Sequence, residues 1–589
     1  MHMGWDVRGT RRRSVVLGAA VALAVLAGCS WGTPDAARPA ATPSATPTPE
    51  PLTAAVRTDV APATVVAGDA PAVALATSVA LLAAAPVVVL APLDDVAASL
   101  TAASAAVALG APVLPTAAGA DVATELARLG TTHALVVGDP GTDLQLPGVT
   151  LVPVPAGADG AVLARATGHR FGEPTPVAPG QEQAVVATLV GPEPAVLLAA
   201  GADAAGGGPD AGTSSPTAGP TGGDATTSTS AEDPTALPPT GPVVATGVLA
   251  LTDGSPALAA TATLRALGVG LLDVPGGDPR STSTVVQAVA QAAPTAVLAY
   301  GETFGTPERL ASRVATARTG VELPGGGQLV FPSVPEQPGK KYVALYGTPG
   351  SSALGVLGEQ DVPSTIVRAE QHAAPYRDLT TDTVVPAVEI IATIASSGAE
   401  ADGSYSRKRP VEDLRPLVEA AGAAGQYVVL DLQPGRQDFV TQAQLYAELL
   451  ALPHVGLALD PEWRLAPDQV HLRQIGSVGI DEVNATAAWL AQLTRERGLP
   501  QKMLVLHQFS LRMIGERERL DTSHDEIALL IHVDGQGSQP AKAGTWQALR
   551  AGAPPVHWGW KNFYDEDVPM LDPAQTYQVQ PVPDLVTYQ

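Results

Sequence analysis

Asp460 and Glu462 close the apolar run Val455-Gly456-Leu457-Ala458-Leu459, with only Pro461 between them and Trp463 next. Residues two apart on an extended chain share a face and lie about 6.6 Å apart along it. Both carboxyls are therefore expected to project the same way from the end of one strand. Two carboxyls facing one volume can divide a hydrolysis between them. One protonates the leaving oxygen, the other acts as base or nucleophile, and their separation sets the stereochemical outcome. A neighbouring aromatic ring packs on the apolar face of a sugar. The plainer alternative is a strand-to-loop junction whose acids are solvated or ion-paired.

Other polar residues end apolar runs in the same way. Asp431 follows Val428-Val429-Leu430, His507 follows Met503-Leu504-Val505-Leu506, and His532 and Asp534 share a face of 527–534. Trp558 and Trp560 share a face of the run that contains them. The expected assignment makes Glu462, Asp460 and Asp431 catalytic. Asp534, His507, Trp463, Trp558 and Trp560 then shape the cleft. Glu389, inside 387–391, is expected to point into a barrel lumen and to need a partner there. Asp431, His507, His532 and Asp534 are also types that suit Zn²⁺ or Mn²⁺. No His-x-His lies on the first strand and no Glu-x-x-His on a helix, so neither metal nor cofactor is expected. Gly325-Gly326-Gly327 lacks a following Lys-Ser/Thr, which excludes a phosphate loop, and no Gly-x-Ser-x-Gly elbow is present.

The elements that must hold these residues are legible as spacing. Strand-like runs occur at 342–346, 388–394, 427–432, 455–460, 503–507, 527–534 and 555–560. Amphipathic stretches fall between most of them, at 411–424, 441–452, 484–497 and 541–551. Strands spaced for crossover helices predict a TIM-type barrel over 340–589, complete or one strand short, with 328–331 a candidate eighth strand. A doubly wound open sheet is the alternative. In a barrel the C-terminal strand ends carry the chemistry, which is where the polar residues fall.

Before residue 340 the texture differs. Strand-like 86–90 and 134–139 flank a helix-like Ala-rich stretch at 96–109, predicting βαβ units and an α/β class for the whole chain. The stretch from Leu100 to Gly110 recurs from Leu258 to Gly268, and the same offset sets Asp95 on Asp253. An internal repeat of this kind predicts two related modules, at 58–200 and 241–335. The intervening 201–240 is dominated by Gly, Ser, Thr, Pro and Asp and reads as a linker.

The first residues are read as a targeting segment. Arg8, Arg11, Arg12 and Arg13 precede an apolar run at 15–27, the pattern of a signal peptide over 1–28. Leu26-Ala27-Gly28-Cys29 resembles a bacterial lipobox, which implies cleavage before Cys29 and lipidation of its thiol. Residues 29–57, rich in Pro, Thr and Ala, read as a spacer. A single cysteine excludes disulfides, and a net charge of −24 disfavours nucleic acid.

Two further resemblances follow from motifs. Ala108-Leu109-Gly110-Ala111-Pro112, Thr116 and Val136-Val137-Gly138 are similar to the type 2 cell wall-binding repeat of Gram-positive surface proteins. That resemblance implies binding to an anionic wall polymer. Gly456-Leu457-Ala458-Leu459-Asp460-Pro461-Glu462-Trp463 resembles the Asp-x-Glu strand end of barrel glycosidases of the chitinase and lysozyme types. It implies Glu462 as general acid and Asp460 as its partner. Together they predict a lipoprotein on the outer face of the cell membrane whose barrel hydrolyses an envelope glycan. The alternative is a non-catalytic surface lipoprotein that binds wall polymer or a protein partner.

Overall fold

The computed structural model describes residues 50–116, 119–139, 146–201, 236–255 and 257–589. The expected signal peptide, Cys29, most of the spacer and most of the linker lie outside the described residues.

The N-terminal part contains two four-stranded parallel sheets of one design. The first runs in the order Val113–Pro115, Val87–Ala91, His133–Val137, Thr150–Val154. The second runs Gly270–Asp273, Val248–Thr252, Ala296–Tyr300, Ala63–Val66. The repeated motif forms helices Val96–Leu109 and Leu258–Ala266, which pack on each other. Ala at half the positions of the first helix lets it be buried on every side from Ala98 to Leu109. The last strand of the second sheet comes from the start of the module, before either copy of the repeated motif.

The C-terminal part is a closed barrel of eight parallel strands. In chain order they are β1 (Lys340–Gly347), β2 (Thr383–Ala395), β3 (Tyr427–Leu432), β4 (Val455–Leu459), β5 (Lys502–Gln508), β6 (Ile527–Val533), β7 (His557–Asn562) and β8 (Leu585–Tyr588). β1 pairs with both β2 and β8, which closes the ring. The eighth strand is thus the C-terminal Leu585–Tyr588. Residues 328–331, the sequence candidate for it, form no strand. That segment caps the bottom of the barrel instead. Leu323 and Val330 join the lumen core, Tyr342 donates to the Val330 carbonyl at 3.1 Å, and Phe331 stacks on His557 at 4.0 Å.

Alternation along each strand sorts the lumen into layers. Lower positions are apolar: Tyr342 and Ala344, Val385 and Ala387, Val429, Ala458, Met503 and Val505, Leu530. The next lumen-facing residue up is polar on every strand: Tyr346, Glu389, Asp431, Asp460, His507, His532, Lys561 and Thr587. Two glycines make this crowding possible. A Cβ on Gly456 would meet the Tyr427 hydroxyl at 2.9 Å, and one on Gly559 would run into the His532 ring. No helix among the described residues is long and apolar enough to cross a membrane.

Candidate functional site

The polar layer ends the barrel core and floors an open cavity of about 510 Å³ at the C-terminal strand ends. Its walls include Asp460, Glu462, Asp534 and Lys561, with Tyr346, Trp463, Phe509 and Phe563 as aromatic surface. β4 stops at Leu459, and a short 3₁₀ turn over Pro461–Trp463 swings Glu462 and Trp463 up beside Asp460. Asp460 is 3% exposed and Glu462 is half-buried. Among the described residues Lys561 is the only basic one in the cavity wall, and its ammonium sits 3.6 Å from the Tyr346 ring centroid.

A string of three groups runs from the cavity wall at Asp534 down into the lumen. His507 Nε2 meets Glu389 Oε1 at 2.7 Å, and its Nδ1 meets Asp534 Oδ2 at 3.1 Å. Glu389 and His507 are fully buried. Beside them Tyr346 donates to Asp431 Oδ2 at 2.8 Å, and His532 Nε2 pairs with Thr587 Oγ1 at 3.1 Å. Glu389, expected to need a partner in the lumen, has one in His507.

Five carboxyls, on Glu389, Asp431, Asp460, Glu462 and Asp534, converge on two cationic side chains, His507 and Lys561. Burial penalises every charge there, and like charges penalise one another. Burial pushes Asp431 up to about 6, with His507 pulling it down and Glu389 pushing it further up. Burial and then the Glu462 and Asp431 charges hold Asp460 well above the usual carboxylate range. Burial and then Asp534 push Glu462 up to about 7, against the pull of Lys561 and His507. Burial alone would lower His507, but Glu389 and Asp534 raise it well above an ordinary histidine. Burial, helped by the His507 and Lys561 charges, holds His532 well below one. The cluster therefore keeps protons at neutral pH on some of its acids. A proton shared in this way belongs to the interacting set, not to one residue.

The structure brings Asp460, Glu462, Asp534 and Trp463 to the cavity wall and sets Asp431 and His507 just below it. It does not bring Trp558 and Trp560 there. Gly559 and Lys561 take the lumen side of β7, so alternation turns both tryptophans outward. They pack against Trp546 at centroid distances of 5.9 and 5.6 Å, and Trp560 Nε1 donates to Asn562 Oδ1 at 2.9 Å. Tyr346 and Lys561 were not singled out from sequence. Their signal is the lumen parity of Tyr342-Val-Ala-Leu-Tyr346 and of Gly559-Trp-Lys561, readable only once the inner face of each strand is known.

No protein-family model matches the chain. No curated protein matches it either. Among solved structures, Cwp6 from Clostridium difficile is similar at 12% identity and a TM-score of 0.29, over 63% of this chain and 63% of that one. The chain thus spans less than two thirds of that protein's length, and a likeness of this size does not establish a shared fold.

Proposed function

We propose that the barrel hydrolyses or remodels an envelope glycan, with Asp460 and Glu462 as the paired carboxyls. The observation that supports this most directly is Glu462 itself. It stands on the wall of an open, aromatic-lined cavity, with its carboxyl raised to about 7 and Asp460 beside it. A carboxyl held near neutrality by burial and like charge is suited to give a proton at the pH of use. Glu462, the more open of the two, delivers the proton to the leaving oxygen. Asp460 takes the complementary role, and Lys561 and His507 limit the charge that the cluster accumulates. Trp463 offers a ring face to the sugar, and Asp534 and Asp431 set the field around the pair.

The same proposal places the protein outside the cell, tethered through lipid on Cys29. The wall-binding-like modules then hold the barrel near its polymer. These parts rest on the sequence patterns alone, and metabolic labelling of the full chain with a fatty acid, beside Cys29→Ala, tests the tether.

Catalysis is tested by glycan release from purified cell wall by the full chain and by Glu462→Gln. Release by the parent and its loss in the variant are expected. A parent that pulls down with wall but releases nothing from several wall preparations overturns hydrolysis and leaves a tethered binding protein.

A further inference from the structure

The cavity floor holds a second arrangement, in which two residues that bear on Glu462 electrostatically, His507 and Asp534, meet a third, His532. His507, at the end of β5, and His532 and Asp534, two apart on one face at the end of β6, each offer a ligand atom. These atoms all lie within 4.8 Å of one another. The His507 Nδ1 to Asp534 Oδ2 separation is 3.1 Å. Two ligands of one tetrahedral zinc, each about 2.0–2.1 Å from the metal, stand about 3.3 Å apart.

The groups behind these residues fit the same reading. A ligating histidine characteristically gives its other ring N–H to a carboxylate, carbonyl or similar acceptor, which fixes the tautomer and aims the free nitrogen. His507 gives Nε2 to Glu389 Oε1, and a cation would replace the proton that Nδ1 shares with Asp534 Oδ2, releasing it to solvent. His532 engages Thr587 through Nε2, leaving Nδ1 with no partner although the residue is fully buried. Asp534 Oδ1 is likewise buried and unpartnered. A buried imidazole nitrogen without a partner is costly, and a cation would satisfy it together with the free carboxylate oxygen. Gly559 is what allows the His532 ring to lie there at all.

We propose that His507, His532 and Asp534 form a divalent transition-metal site in the floor of the cavity, with Glu389 and Thr587 orienting the two imidazoles. Two imidazoles and one carboxylate suit Zn²⁺ and its neighbours better than Mg²⁺ or Ca²⁺. Asp534 also lines the cavity, so the site opens toward whatever occupies it. A cation there would add a place to hold a substrate oxygen, separate from the Asp460–Glu462 pair.

The test is metal binding, read without any activity. The full-length protein is stripped with chelator and titrated calorimetrically with Zn²⁺, and with Mn²⁺ and Mg²⁺ for comparison. One equivalent of Zn²⁺ is expected, binding more tightly than Mg²⁺. His532→Ala and Asp534→Asn are expected to weaken it at least tenfold, and Glu389→Gln by 10- to 100-fold, with circular dichroism confirming that each variant is folded. Should His532→Ala fail to fold, Asp534→Asn at the cavity wall and Glu389→Gln carry the test. No Zn²⁺ binding by the parent, or stoichiometric binding that the folded variants leave unchanged, overturns the site. Because the readout is binding, glycan release can fail while the metal site stands, and the reverse.

Discussion

The Lys561 ammonium lies 3.6 Å from the centroid of the Tyr346 ring, and the same Tyr346 donates its hydroxyl to Asp431. One aromatic side chain thus links a basic residue of the cavity wall to a carboxyl beneath it. Removing that cation has a signed consequence. Lys561 pulls the Glu462 carboxyl down against burial and Asp534. In Lys561→Met the Glu462 carboxyl rises further. The alkaline limb of the glycan-release profile, set in the parent by loss of the Glu462 proton near pH 7, is then expected to move to higher pH. An alkaline limb that does not move in Lys561→Met would sink the assignment of that limb to Glu462.

Glu462→Gln removes the proton donor itself. General acid catalysis contributes about 10²- to 10⁴-fold, so release from wall glycan is expected to fall by that order at every pH. Retention of more than a tenth of parent activity would move the acid elsewhere in the cluster.

Asp431 gives a stability prediction independent of any substrate. Its folded-state value of about 6 exceeds the ordinary 3.8, chiefly through burial. A raised carboxyl contributes stability fully below its unfolded value and loses it as pH rises through the folded one. Asp431→Asn cannot ionise and still accepts from Tyr346. In chelator-treated protein the variant is expected to be more stable than the parent at pH 8 by on the order of 1–3 kcal/mol. That advantage shrinks toward pH 4.5. Urea unfolding at both pH values checks it, and a parent-like midpoint at pH 8 would count against a charged, buried Asp431.

The tryptophans separate binding from packing. Trp463 is on the cavity wall, whereas Trp560 is 2% exposed in the core outside the barrel. Trp463→Ala is expected to raise KM for glycan about tenfold with little change in unfolding midpoint. Trp560→Ala is expected to cost about 3–5 kcal/mol of stability and to leave KM as it was. The opposite pattern would return Trp560 to the cleft.

Asp525 ties the barrel to the preceding module. It accepts from Arg309 Nε at 2.9 Å and Arg313 Nε at 2.7 Å, and its backbone carbonyl accepts from Arg280 Nη1 at 3.1 Å. Although burial opposes ionisation, the two arginine hydrogen bonds hold its carboxyl far below the usual range. A depressed carboxyl stabilises above its unfolded value and loses that contribution on acidification. Asp525→Ala leaves the buried Arg280 and Arg313 with Asp278 alone and Arg309 half exposed, and is expected to cost about 1.5–3 kcal/mol at pH 7. The difference should narrow below about pH 4. An unchanged urea midpoint at pH 7 would show that the contact carries no net stability.

Much of this architecture was legible as periodicity, and what was not has identifiable causes. Seven barrel strands announce themselves because apolar runs alternate with amphipathic helices. Leu585–Tyr588 escapes because it is four residues long and follows a proline-rich approach with no long helix before it. Period two told that Trp558 and Trp560 share a face but never which face is the lumen, and it set Asp460 and Glu462 on one extended strand, whereas the strand ends at Leu459 and a 3₁₀ turn brings Glu462 beside Asp460. For the acids the strand end settles it, since both lie past the last ladder residue and close on one cavity. For the tryptophans only the neighbours do, and Gly559 and Lys561 sit opposite His532 and Thr587. The repeat at 100–110 and 258–268 was visible in residue identity. The exchange of Ala63–Val66 into the second sheet was not, because a four-residue Ala-Thr-Val-Val run fits either sheet equally well.

That exchanged strand bears on how the chain is made. Synthesis proceeds from the N-terminus, so Ala63–Val66 emerges long before its ladder partner, Ala296–Tyr300, which comes about 230 residues later. Pairings this distant in sequence form slowly, because the loop must close before any contact rewards it. The first sheet, whose strands all lie between residues 87 and 154, can assemble as soon as it is translated. The earliest strand of the second sheet has to stay unpaired until that sheet's last strand arrives. Among the first parts of the described fold to be synthesised, Ala63–Val66 is one of the last to find its place.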